Sequence, residues 1–171
     1  MIDRFDGRYG FLSNFYPCKI EFQGIKYNSV EAYYVAMKCN NEQLLNGTQY
    51  SVADFREMLS KINNPGLVKR ICQQMRVRSD WDDKKLTFMN WAIREKFKDE
   101  NLKELLISTG DLTLIEGNYW HDNFYGQCTC DKCKGKGKNN LGKILMEVRN
   151  ELNGIIKQDF LGDILKQSDK I

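Results

Sequence analysis

Apolar residues return every three or four positions along most of this chain, whereas strict alternation is confined to runs of a few residues. A helix buries one face at a period of 3.6 and a strand at a period of 2, so this mixture builds helices beside short strands. Residues 19–22 and 25–28 flank Gln23 and Gly24, and Ile20 and Phe22 alternate with Lys19 and Glu21, the pattern of a small hairpin. A helix follows at once, capped by Asn28 or Ser29, with Val30, Tyr33, Tyr34 and Met37 at helical spacing.

Residues 51–62 read as a second helix with Ser51 and Asp54 as a cap pair, and Asn64 followed by Pro65 starts a third. The stripe Leu86, Met89, Ile93 and Phe97 predicts a helix over 82–98, and 101–108 adds a short leucine-rich one. Residues 112–116 suit a strand leading into a polar, glycine-rich segment over 117–140, long enough for a loop to need a functional explanation. Leu141, Ile144, Leu145, Val148 and Leu152 then restore an amphipathic helix, and a tail helix over 155–166 is expected after Gly154. There is no βαβ alternation and no glycine-rich dinucleotide loop. The expectation is an α+β fold: a predominantly helical single domain with short strands over 1–152, and a tail helix over 153–171.

A length of 171 residues suits one core, and a net charge of +3 neither announces nor forbids a nucleic-acid partner. The longest apolar run, 32–37, is far short of the ~20 residues a membrane-spanning helix needs, so no membrane partner is expected. Asp3, Arg4, Asp6 and Arg8 stand where a secretory signal would be apolar, which points to the cytoplasm and to reduced thiols. Cys18, Cys39 and Cys72 then read as small buried hydrophobes. Cys128, Cys130 and Cys133 offer three thiolates within six residues, while zinc normally takes four ligands; His121 or Cys72 would complete a structural site. Reduced thiols without metal are the alternative, and no catalytic metal or other cofactor is called for.

Glu31 lies three residues after Asn28, which fits a capping box; with Tyr34 and Lys38 on nearly the same helix face, it equally fits a general acid or base. Asp122 lies among Tyr119, Trp120, His121, Phe124 and Tyr125 in the long segment, where the aromatics either cover the core or form a slot for a flat ring. Trp81, at a helix start beside Arg76 and Arg78, is free to stack on a ligand, and Trp91 suits the core. Gly135, Lys136, Gly137, Lys138 and Asn139 precede a helix start, either as a phosphate cradle or as a solvated turn.

Several separated segments together resemble one family. They are 11–16 (FLSNFY), 27–34 (YNSVEAYY) ending at Lys38, 78–81 (RSDW), 114–118 (LIEGN), 122–126 (DNFYG) and 135–147. In this order they are similar to the NADAR, or YbiA-like, family over nearly the whole chain to Leu152. That resemblance implies an α+β fold and N-glycosidase activity. Its implied substrates are ADP-ribosylated guanine in nucleic acid or ribosylamino-pyrimidine phosphates of riboflavin synthesis. By motif, Glu31 and Asp122 match the family's acids, Lys38 joins them as catalytic, and Trp81 matches the base-contacting tryptophan. Asn14, Lys38 and Asn118 match polar positions lining the same pocket; Phe15, Tyr34, Phe124, Tyr125 and Gly126 join them as substrate-binding candidates, and Lys136, Gly137 and Asn139 would take phosphate. Ala32 stands where many relatives have histidine, Tyr125 where tryptophan is common, and the cysteine cluster is an insertion that only some relatives carry.

The chemistry accounts for two acids. Breaking a ribosyl C1–N bond builds positive charge on the sugar while the departing nitrogen needs a proton or hydrogen bonds. On this reading the two carboxyl groups meet around one sugar carbon, Asp122 stabilising the cation or orienting water and Glu31 acting as general acid or base. A noncatalytic module that binds ADP-ribose or nucleic acid is the competing class.

Overall fold

The computed structural model describes residues 1–168, and the side chains of residues 1–154. The chain forms two compact units: Asp6–Asp99, and Met1–Phe5 together with the residues from Glu100 onward.

In the first unit a 3-10 helix, Gly7–Leu12, leads to the hairpin of β1 (Ile20–Phe22) and β2 (Ile25–Tyr27), paired Ile20 to Tyr27 and Phe22 to Ile25. Gln23 (φ 50°) and Gly24 (φ 79°) are both left-handed, the two-residue turn whose twist matches the flanking strands. A second hairpin, β3 (Gln43–Leu45) and β4 (Thr48–Tyr50), was not expected. Its Asn46–Gly47 turn repeats the same left-handed pair, and that dipeptide is the signal in the sequence.

Helix α1 (Val30–Met37) is the centre of this unit: every residue but Glu31 is buried, and it packs against α2 (Val52–Ser60), α3 (Pro65–Cys72) and α4 (Trp81–Lys96). Each large apolar side chain so buried contributes about 1.5–3 kcal/mol. Ser51 accepts from the Asp54 N–H and Asn64 from those of Gly66 and Leu67, with Pro65 opening its helix, as expected. On α4, Met89 and Ile93 are buried, as is Phe97 just beyond it, but Leu86 is exposed and Lys96 is buried instead. Trp91 is half-buried in an aromatic cluster, 4.9 Å from Tyr33 and 5.0 Å from Phe22 between ring centroids.

In the second unit α5 (Glu100–Ser108) packs on α6 (Asn140–Ser168), which runs through Gly154 as one helix where two were expected. An exposed glycine within a helix costs only about 1 kcal/mol and need not end it. The strand expected over 112–116 is a single parallel bridge, Ile2 to Leu114, because only one residue of the N-terminal segment reaches it. The regular pairing lies just beyond, where β5 (Gly117–Asn118) runs parallel to β6 (Gln127–Cys128). Buried Arg149 donates to Thr109 Oγ1 (2.8 Å) and Leu112 O (2.9 Å), tying α6 to the segment after α5. Among the described residues no helix is long and apolar enough to cross a membrane.

Candidate active site

Ser29, not Asn28, caps α1: its Oγ accepts from the Ala32 N–H at 3.1 Å. Asn28 is engaged elsewhere, accepting from Lys19 and donating to Ser60 O and Asn63 Oδ1. The residue at the third helical position is therefore Ala32, so Glu31 cannot form the reciprocal capping box. It sits at the second position, half-buried, and its N–H is satisfied by Asn14 O at 3.1 Å. Asn14 is held by a 3.6 Å contact of Nδ2 with Met89 Sδ, and its buried Oδ1 has no hydrogen-bond partner among the described residues.

Tyr34 and Lys38 follow on the same face of α1. The Arg78 N–H donates to Lys38 O at 2.9 Å, which draws the turn before α4 to the end of α1 and seats Trp81 edge-on to Tyr34, centroids 4.8 Å apart. Phe88 stacks beyond Trp81 at 5.9 Å. The Lys38 ammonium lies 5.3 and 5.4 Å from the Tyr34 and Trp81 centroids and 3.1 Å from Cys72 Sγ. Arg78 forms a two-pronged pair with Asp80, and its hydrogen bonds hold the Asp80 carboxyl below the usual range. Glu31 and Lys38 thus share one face of α1, with the half-buried indole of Trp81 from α4 beside Lys38.

Asp122 belongs to the second unit. The Asn118 amide donates to Asp122 O at 2.7 Å and accepts from the Asp122 N–H at 3.2 Å, clamping the backbone on both sides of the acid. Asp122 Oδ1 accepts from the N–H groups of Phe124 (3.0 Å) and Tyr125 (2.9 Å), while Oδ2 takes no hydrogen bond among the described residues. The carboxylate is thus oriented by one oxygen and offers the other. Phe124 and Tyr125 are half-buried and edge-on to each other at 4.9 Å.

Comparison with known proteins adds a NADAR domain match over residues 3–153. The chain belongs to the NADAR family. The NADAR chain is 35% identical over 150 residues to a riboflavin biosynthesis protein of Vibrio vulnificus, covering 86% of itself and 36% of that longer protein. It is 32% identical over 149 residues to an N-glycosidase of Nostoc punctiforme, covering 86% and 88% of the two chains. The NMR structure of the Escherichia coli protein YbiA matches 92% of this NADAR chain and 89% of its own, with a TM-score of 0.69 at 28% identity. The α+β architecture expected from the sequence is that of YbiA, and the NADAR chain is an enzyme of the N-glycosidase class.

Several residue expectations for this NADAR chain need correction. The phosphate cradle is closed: the N–H groups of Lys138, Asn139, Asn140 and Leu141 already donate to the carbonyls of Asn123, Gly126, Phe124 and Tyr125, and Gly135 and Lys136 donate to Cys128 and Cys133. Asn139 is buried, with its amide spent on Leu114 O and the Glu116 N–H, so it is a strut rather than a phosphate contact. A Cβ on Gly137 would lie 2.2 Å from Gly126 O, and one on Gly126 would lie 2.3 Å from Glu116 O. These glycines serve close backbone packing. Of the proposed cradle, Lys136 and Lys138 remain exposed. Asn118 is 1% exposed, and its amide is engaged by the Asp122 backbone. Phe15 is exposed, with Lys69 Nζ 5.8 Å from its centroid.

Three participants escaped the sequence. Cys72 is half-buried against Lys38 instead of lying among apolar side chains. Lys96, 1% exposed, donates to Ser13 O at 2.7 Å beneath the segment that carries Asn14, and burial pushes its pKa down to about 8. The signal for it was a lysine three residues after Ile93 on the apolar stripe. Asn123 accepts from the Cys128 N–H at 3.1 Å and donates to Cys133 Sγ at 3.2 Å, for which the sequence holds no signal. His121, Cys128, Cys130 and Cys133 bring one ligand atom each to within 4.8 Å of one another, and Cys72 is not among them.

Proposed function

We propose that this NADAR N-glycosidase removes ADP-ribose from ADP-ribosylated guanine in nucleic acid. Glu31 serves as general acid or base, and Asp122 stabilises the cationic sugar through Oδ2. The observation that carries the acid assignment is the placement of a half-buried carboxylate in the first turn of α1, one helical turn from an aromatic and two from an ammonium. Proton transfer by such a group is worth ~10²–10⁴ in rate. Trp81 offers its indole to a planar leaving group, and Lys38 offers its ammonium to a sugar or carboxylate oxygen.

A polymeric substrate is supported by the surface around Asp122. Tyr119 and Trp120 are 59% and 61% exposed, and Lys132, Lys134, Lys136 and Lys138 are exposed in the same segment. Exposed aromatics beside lysines suit stacked bases and phosphates. The second reading, hydrolysis of a ribosylamino-pyrimidine phosphate, is favoured by the Vibrio vulnificus relative's name.

Side-by-side turnover of ADP-ribosylated guanine DNA and the ribosylamino-pyrimidine phosphate, with chromatographic identification of the released base, tests both. Release of ADP-ribose from the DNA, weakening steeply as salt rises, is the expected result. Turnover of the pyrimidine compound alone assigns the second reading, and tight binding without any product overturns both.

A further inference from the structure

We propose that His121, Cys128, Cys130 and Cys133 bind one zinc ion in a closed site that fixes the peptide carrying Asp122. The binding claim stands on these four residues alone; only the consequence for Asp122 rests on the glycosidase reading.

His121 Nδ1 lies 3.3 Å from Cys133 Sγ, 3.5 Å from Cys130 Sγ and 3.9 Å from Cys128 Sγ, and all four ligand atoms fall within 4.8 Å of one another. A tetrahedral zinc with its usual bond lengths sets N to S edges of about 3.6 Å and S to S edges of about 3.8 Å. The observed separations bracket that figure. The cluster is not explained as core packing, because only Cys128 is buried while Cys130 and Cys133 are half-buried and His121 is exposed.

The surrounding backbone is shaped for thiolates. The Cys133 N–H donates to Cys130 Sγ at 3.4 Å, and the Asn123 amide donates to Cys133 Sγ at 3.2 Å. Such outer hydrogen bonds orient metal ligands and tune them. Cys128 is anchored by the β5–β6 pairing and by a bridge to Lys136. His121 is a non-glycine residue at φ 66°, a conformation that costs about 1–2 kcal/mol and persists where something holds it. Three thiolates and one imidazole leave no open position, so the ion is structural and leaves the hydrolytic chemistry to the carboxylates. Because His121 precedes Asp122 directly, the ion and the Asn118 clamp hold the acid from two sides.

Metal analysis of the reduced chain purified without chelators is expected to give about one zinc per chain. Removing the zinc and titrating Co²⁺ is expected to produce the intense visible bands of a tetrahedral ion and a thiolate charge-transfer band, both displaced by Zn²⁺. Cys130→Ser with Cys133→Ser should abolish the spectrum, whereas His121→Cys should keep the metal and shift the bands. That retained binding guards against mistaking a folding failure for a lost ligand. Amide exchange over residues 118–137 should accelerate when zinc is removed, while that of α5 stays unchanged. Wild-type protein that carries no zinc and gives no Co²⁺ spectrum overturns the proposal. So does iron or copper in place of zinc, or undiminished binding in the double cysteine variant.

Discussion

The backbone N–H of Glu31 donates to the carbonyl of Asn14 across 3.1 Å. Two motif segments separated by a hairpin are joined at that bond, and the same Asn14 presents a buried Oδ1 with no hydrogen-bond partner among the described residues. In the first turn of α1 the Ala32 N–H is therefore met by Ser29 Oγ and the Glu31 N–H by Asn14 O.

Glu31→Gln should accordingly cut turnover by ~10²–10⁴ while leaving the melting temperature within a degree or two of the parent's. Ser29→Ala should cost about 1 kcal/mol in urea unfolding, because it removes the cap. A stability loss in Glu31→Gln as large as that of Ser29→Ala would return the acid to a structural role.

Trp81→Ala should raise KM roughly 5- to 150-fold, the loss of one base–aromatic stack of ~1–3 kcal/mol, with Trp81→Phe recovering most of it. Steady-state kinetics on both variants check this. An unchanged KM in Trp81→Ala would remove the indole from the binding surface.

Asn118 acts through Asp122. Asn118→Ala should lower kcat by about tenfold or more with little change in KM, and should add almost nothing in an Asp122→Asn background. Kinetics of the two single variants and the double variant supply the test, and additive losses would separate the two residues.

Lys96 gives a pH signature. Its folded pKa of about 8 lies below the ordinary 10.5, so between those values the unfolded chain holds a proton that the native chain lacks. Stability relative to Lys96→Met should then rise with pH across that window, by up to roughly 3 kcal/mol, and stay level below pH 8. Burial raises the neighbouring Cys18 thiol, which opposes the trend, but Cys18 is present in both proteins. Urea unfolding at steps across the window measures the difference, and a flat difference would contradict the burial of a neutral amine.

Gly137→Ala should cost roughly 1–3 kcal/mol by driving a methyl group into Gly126 O at 2.2 Å. Gly135→Ala meets open space at φ +72°, so only the left-handed conformation of about 1 kcal/mol is at stake. Thermal melts of the two variants should rank them in that order.

The sequence alone determined what contacts of a few residues control. The Gln23–Gly24 turn, the Ser51 and Asn64 caps, Pro65 at a helix start and the stripes of α1 and α6 all follow from neighbours within about four positions, and together they yield the α+β class. The Asn46–Gly47 hairpin was equally local and was legible in principle.

Tertiary structure decided what distant partners control. Asn28 was excluded as a cap by Ser60 and Asn63, more than thirty residues away, and Lys96 was buried by a carbonyl 83 positions earlier. The donors at the start of α6 were closed by carbonyls of Asn123 to Gly126, which turned a phosphate cradle into a seam. His121, and not Cys72, joined the cysteines because the parallel pairing of β5 with β6 sets Asn118 beside Cys128 and so brings the segment just after β5 to the cysteines. Side-chain type states what a residue can bond to; only chain closure, with its own entropy cost, selects the partner that it meets.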